Sequence, residues 1–255
     1  SLAEGETVSF IGDLGPAAVT ISTAGDGTDE VFNVDGATMG TATFTVNSGA
    51  TLQGTTVKLT GVTAAGDGIV AVTALHATPN ADLSGIDATT TTAAFDGTAT
   101  FTGTLDGAVV TVGDTFTMTA AANKVAGETI NKTGTGKLAV EVGTADAAAD
   151  LSSIGGDALT SVTVTQSISF TGTLDDTVST SIDNGVTFTI AAAKVSGKTV
   201  TGDGSIIVTG IDSTTELQNV NPNGGVTASI ADGADISGSS TLSTVDNFTF
   251  VADAD

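Results

Sequence analysis

The chain of 255 residues carries 29 acidic side chains against 6 basic ones, all of them Lys, for a net charge of −23, and it has one His and no Arg, Cys, Trp or Tyr. Catalysis usually rests on a positioned His, Cys, Arg or Tyr, phosphate binding on cations and base stacking on aromatics, so this composition speaks against an enzyme and against a nucleic-acid partner. A hydrophobic content of 40% and a mean hydropathy of +0.30 are too high for a disordered acidic tail, yet no run approaches the ~18 apolar residues of a membrane helix, and the expectation is a folded chain that inserts in no membrane.

Residues 1–40 match the later copies poorly and read as an N-terminal cap or an edge segment. Within them Gly25–Val31, GDGTDEV, fits the G-x-G-x-D calcium half-turn, where glycines let backbone carbonyls and an Asp converge on a hard cation. Asp26, Asp29 and Glu30 are the candidate ligands, with calcium the possible cofactor. Phe32–Gly36 does not repeat the motif, although a full oxygen cage normally needs successive half-turns.

From residue 41 the chain repeats itself. Phrases GDGIVAV, GTGKLAV and GDGSIIV begin at Gly66, Gly134 and Gly202, 68 residues apart each time. Upstream lie TFTV at Thr43, TFTM at Thr115 and TFTI at Thr187, followed by TLQGTTV at Thr51, KVAGETI at Lys124 and KVSGKTV at Lys194. ADLSGI at Ala81 recurs as ADLSSI at Ala149, and ATFTGTLD at Ala99 recurs as SFTGTLD from Ser169. The expected division is repeat 1 over residues 41–112, repeat 2 over 113–184, and repeat 3 over 185–255 with a degenerate C-terminal end, as terminal repeats often show.

Inside a copy the apolar period is two, the mark of a half-buried strand. Phe116 and Met118 alternate with Thr115, Thr117 and Thr119, and Leu138, Val140 and Val142 alternate with Lys137, Ala139 and Glu141. Val162, Val164, Ile168 and Phe170 continue the pattern. Asp106-Gly107, Gly113-Asp114, Asn184-Gly185 and Asn223-Gly224 supply turn residues between such runs. Thr119–Val125 and Ala145–Ile154 are the best helical candidates.

Other residues have simpler readings. Asp67 and Asp203 occupy equivalent places in copies one and three and are further metal candidates, but Thr135 replaces them in copy two. His76 has no second His or Cys to share a metal and reads as a bystander. The Gly-x-Gly segments are turn glycines, because no helix with a Lys or Ser/Thr anchor follows them as a phosphate loop requires. Asn131-Lys132-Thr133 and Asn247-Phe248-Thr249 match glycosylation sequons.

The fold class is all-β, and two architectures meet these patterns. One is a parallel β-solenoid with coils near 20 residues, as Ser167, Val186, Ser205 and Val226 each open an alternating segment. The other is a string of small immunoglobulin-like sandwiches, for which the Asn-Gly and Asp-Gly pairs would be hairpin turns. A sandwich of that kind needs about 100 residues, and 68 with few aromatics make a meagre autonomous core. The solenoid, built from three repeats, is the expected fold.

Composition together with the GDGTDEV, GKTVTGDGSIIVTGI and ADLSGI phrases resembles the repetitive surface-layer proteins and giant adhesins of bacteria exported by type I secretion. That resemblance implies an extracellular, non-enzymatic protein that assembles into layers, stalks or filaments, often with calcium. Lack of Cys suits such a protein, in which a free thiol is a cross-linking hazard. The expectations are therefore a location outside the cell or on its surface, and a structural role with copies of itself and divalent cations as partners. The alternatives are an adhesin segment that binds a glycan or protein, and an ice-binding face built from outward Thr columns such as Thr98, Thr100 and Thr102 or Ser161, Thr163 and Thr165.

Overall fold

The computed structural model describes residues 6–23, 30–230, 233–236 and 242–250. It is 47% strand and 9% helix, with parallel sheets stacked as a β-solenoid of about 12 turns. Parallel strands require a long crossover between them, and in a solenoid the rest of each coil is that crossover. The alternative of tandem sandwiches fails on this point, because such sandwiches pair their strands antiparallel.

The chain divides into two compact units, Ser1–Thr119 with Glu128–Leu138 and Gly155–Ala158, and Ala120–Gly127 with Ala139–Ile154 and Leu159–Asp255. In the first unit a nine-stranded sheet runs from Thr7–Ser9 to Ile130–Lys132. Its coils stack in register, Phe32 on Leu52, Leu52 on Val70, Val70 on Thr91, and then Ala93 on Val110 and Val110 on Ile130. Residues that share a column point to the same side, so alternation along each strand builds continuous apolar columns. Leu52, Val70, Val72, Phe95, Val110 and Val112 are all buried. Burying each Val, Leu or Phe contributes about 1.5–3 kcal/mol, and the columns let small side chains share one core.

In the second unit Ile168–Phe170, Thr187–Ala191, Ser205–Ile211, Val226–Ile230 and Asn247–Phe250 form a five-stranded sheet. Ile168 stacks on Phe188, Phe188 on Ile206 and Ile206 on Val226. These steps of 18 or 20 residues match the coil length read from the sequence. Val162–Val164, Thr180–Ile182 and Val200–Gly202 make a second parallel stack in the same unit.

Three local expectations need correction. The run at Thr115 begins one turn early: Thr115 has φ +67°, Phe116 N–H donates to the Gly113 carbonyl, and the strand is Thr117–Ala121 with Met118 and Ala120 inward. The helical candidates shrink to Ala122–Val125 and to short 3-10 turns at Thr144–Asp146 and Leu151–Ser153. A coil this narrow has no room for the several turns that make a helix stable by itself. The third correction concerns the match of TLQGTTV with KVAGETI, since Ala50–Thr55 is a strand and the counterpart of Ala122–Val125 is Thr56–Leu59. With Ala192–Val195 these form a set of four-residue helices that bury their first and last residues and carry Lys58, Lys124 or Lys194 third.

Candidate functional site

The repeated phrases turn out to be contacts between neighbouring coils. In GDGIVAV a Cβ on Gly66 would lie 2.3 Å from the Val46 carbonyl oxygen, and one on Gly68 would lie 2.4 Å from that of Asn47. Gly136 meets the Val112 oxygen at 2.5 Å, and Gly202 and Gly204 meet those of Ile182 and Asp183 at 2.3 and 2.4 Å. The G-x-G corner therefore sits directly on the backbone of the corner one coil earlier, and the missing side chains are what allow it. ADLS and FTG phrases are coupled in the same way. Gly103 rests on Ala81 and Gly172 on Ala149, where a Cβ would fall 2.0 and 1.9 Å from the carbonyl oxygens. Thr104 and Thr173 then donate to those same carbonyls at 2.8 and 3.1 Å.

The metal candidates are dispersed through this framework. Asp26 and Asp29 lie outside the described residues, and Glu30 is a buried strand residue, 2% exposed, in register with Ala50. Asp67 is exposed at its corner. Asp203, at the equivalent corner, accepts a 2.6 Å hydrogen bond from Asn223 Nδ2 of the next coil. Thr135, which replaces them in the second copy, donates from its N–H and hydroxyl to Asp114 of the preceding coil at 2.8 and 2.9 Å. Both bonds hold Asp114 below the usual carboxylate range, the backbone N–H most of all. Among the described residues no group of three or more His, Asp or Glu is placed to hold a metal ion.

His76 is half-buried beside a strand end, with Nδ1 2.6 Å from Asp96 Oδ1 and its ring edge-on to Phe95 at 6.3 Å. Gly97 leaves the space that the imidazole fills, since a Cβ there would lie 2.4 Å from the ring. Thus His76 is a packing residue of the coil wall, set between Phe95, Gly97 and the Asp96 carboxyl. Of the sequon residues, Asn131 is half-buried in the strand Ile130–Lys132, whereas Asn247 is exposed in the strand Asn247–Phe250.

Two shallow grooves lie beside the short helices. One of about 470 Å³ is lined by Thr41, Thr43, Thr60 and Thr63 together with Lys58, whose ammonium donates to the Ala37 carbonyl at 2.6 Å. The other, about 280 Å³, is lined by Ser169, Thr171, Thr189, Thr209 and Lys194. Periodicity alone did not single out these lysines.

The outward side of the five-stranded sheet carries a grid of hydroxyls. Ser169, Thr189, Ile207, Thr227 and Asn247 form one register column, and Ala191, Thr209 and Ser229 lie in another with Thr249. Thr187 and Ser205 hydroxyls meet at 3.2 Å. None of these positions is charged, on a chain of net charge −23. Of the columns named from the sequence, Thr163 continues into Ser181 and Thr201 of the next coils.

Comparison with known proteins adds no assignment: no family model, no curated protein and no solved structure matches the chain.

Proposed function

We propose that this chain is a non-enzymatic structural protein of an extracellular surface, whose function is to associate with copies of itself into a layer or filament. The observation that supports this reading is the character of the outermost strands. A parallel strand at a sheet margin presents N–H and C=O groups to which a further strand can add, a template for another chain. Among the described residues Thr7–Ser9, Ala18–Ile21 and Ile130–Lys132 are margin strands of the first unit's sheet, and Asn247–Phe250 is a margin strand of the second unit's five-stranded sheet. Phe248 is in register with the buried Ala228 yet is 44% exposed.

The two margins are different surfaces, so an association that joins one to the other is head-to-tail, and such contacts build rings where the rotation closes and filaments where it does not. Acidic self-repulsion opposes it, and salt or divalent cations offset that repulsion. The test is electron microscopy with sedimentation velocity over a range of salt and calcium concentrations. Filaments or sheets would support the proposal, and a single monomeric species under every condition would overturn it.

The hydroxyl grid favours a second reading, in which the uncharged sheet face orders water and binds ice. Thermal hysteresis that is abolished by Thr227→Lys would select it, and freezing-point behaviour like that of an inert protein would reject it.

A further inference from the structure

The chain contains two Asn-Gly pairs, Asn184-Gly185 and Asn223-Gly224, and the fold places them in opposite situations. Asparagine is chemically labile, most of all before glycine, which has no Cβ to hinder attack of its backbone nitrogen on the side-chain amide. That attack needs the nitrogen free of a hydrogen bond and the peptide unit free to rotate towards the side chain.

Asn223-Gly224 has neither freedom. Asn223 N–H donates to the Gly202 carbonyl at 2.7 Å, Gly224 N–H to the Gly204 carbonyl at 2.9 Å, and Asn223 Nδ2 to Asp203 Oδ1 at 2.6 Å. A Cβ on Gly224 would lie 2.4 Å from the same Gly204 oxygen, so the pair lies flat on the coil before it. Asn184-Gly185 stands clear. Ile182 is in register with Gly202 and Thr187 with Ser205, so four residues, 183–186, make a corner that only two, 203 and 204, make in the next coil. The surplus projects as a turn closed by Val186 N–H on the Asp183 carbonyl, with Gly185 at φ +76° and nothing within 4 Å of where its Cβ would stand. Both residues are exposed, and among the described residues neither the Asn184 side chain nor the Gly185 N–H has a hydrogen-bond partner.

We infer that Asn184 is a site of spontaneous deamidation and that Asn223 is protected from it. The Gly185 nitrogen gives up its proton to water or hydroxide and bonds to Asn184 Cγ. The Cγ–Nδ2 bond breaks, Nδ2 leaves as ammonia, and a succinimide ring closes. Water then adds to either ring carbonyl and one ring C–N bond breaks, leaving aspartate, or isoaspartate with the backbone rerouted through the side chain. No electrons are transferred, and water is the only co-reactant. The corner accepts the product carboxylate: in the turn 113–116, closed the same way by Phe116 N–H on Gly113 with Thr115 at φ +67°, Asp114 already holds the second position. Each conversion adds a negative charge beside Asp183, on a chain of net charge −23, and so adds to the repulsion between copies. The chemistry itself is independent of whether copies assemble.

The test is prolonged incubation of the full folded chain at mildly alkaline pH, followed by peptide mapping for the amide-to-acid mass gain and for isoaspartate. Acid should accumulate at position 184 at least about tenfold faster than at 223, the factor imposed by first breaking one hydrogen bond worth about 1.4 kcal/mol. In concentrated urea the two positions should convert at comparable rates, because the selectivity comes from the fold. Asn184→Gln, which keeps the turn glycine, should remove the fast site and leave position 223 slow. Equal conversion at the two positions in the folded chain, or faster conversion at 223, overturns the inference. So does an intact Asn184 under conditions where the urea-treated chain deamidates, and so does a preference for 184 that persists in urea.

Discussion

Gly103 and Gly172 show how much a single missing methyl group controls in this fold. Neither needs a left-handed backbone, but each lies against a carbonyl of the coil below, at Ala81 and Ala149. Gly103→Ala forces the two coils apart and should destabilise the protein by about 1–3 kcal/mol, the range for overpacking a tight interior. Gly185→Ala, which meets nothing within 4 Å but has φ +76°, should cost only about 1–2 kcal/mol of backbone strain. Urea unfolding midpoints of the two variants would rank them. The ionisable residues give a second expectation. Glu128 is pushed up chiefly by burial, with the Gly107 N–H partly offsetting it and Asp106 adding repulsion. A carboxyl raised in the folded state binds its proton more tightly there, so its ionisation weakens the fold as pH rises through the folded value. Glu128→Gln should accordingly be more stable than the parent at pH 7, with the advantage gone below the usual glutamate range. Asp114 has the opposite sign: its contribution is present above the ordinary aspartate value of 3.8 and is lost as pH falls through its lowered one. Asp114→Asn should therefore be less stable than the parent at pH 7 and converge with it in acid, which paired denaturation curves at both pH values would reveal.

At the level of elements, the corners and short helices explain why some phrases recur and others drift. A G-x-G corner stacks on the preceding turn, so the pair is constrained together, whereas the residue between the glycines faces solvent and varies as Asp67, Thr135 and Asp203. The four-residue helices have no side-chain cap and are far below the length at which helices are stable alone. Their buried ends hold them in place. Lys58 adds a tie to the coil before it through the Ala37 carbonyl. Lys58→Met keeps the aliphatic stem and removes the donor, so it should cost about 1.5–3 kcal/mol, the net value of a hydrogen bond made by a charged group. A larger loss in a urea titration would mean that the stem packing, not the bond, is what matters.

For the whole molecule, charge opposes association between copies. With a net charge of −23, copies repel over about 30 Å at 0.01 M salt but only about 8 Å at 0.15 M. Assembly should therefore strengthen as monovalent salt is raised across that interval, and sedimentation velocity would follow it directly. If screening alone is responsible, magnesium and calcium should act alike, and a preference for calcium would point to a specific cation site.

How much of this was legible beforehand can be judged from particular residues. Period-two alternation at Leu138–Val142 and near-20-residue spacing from Ser167 to Val226 are local properties of the chain, set by which side chains can face water, and they determined the strands and the coil length. The same locality misled at Asn184-Gly185, whose turn residues suit a hairpin and a solenoid corner equally, because positive φ reports a bend and not the direction in which the next strand pairs. Only stacking decided that the pairing is parallel, that ADLS lies under FTG, and that Asp203 reaches Asn223. Those contacts join residues about 20 positions apart, and their existence depends on one coil lying over another, a relation that no short stretch of sequence contains.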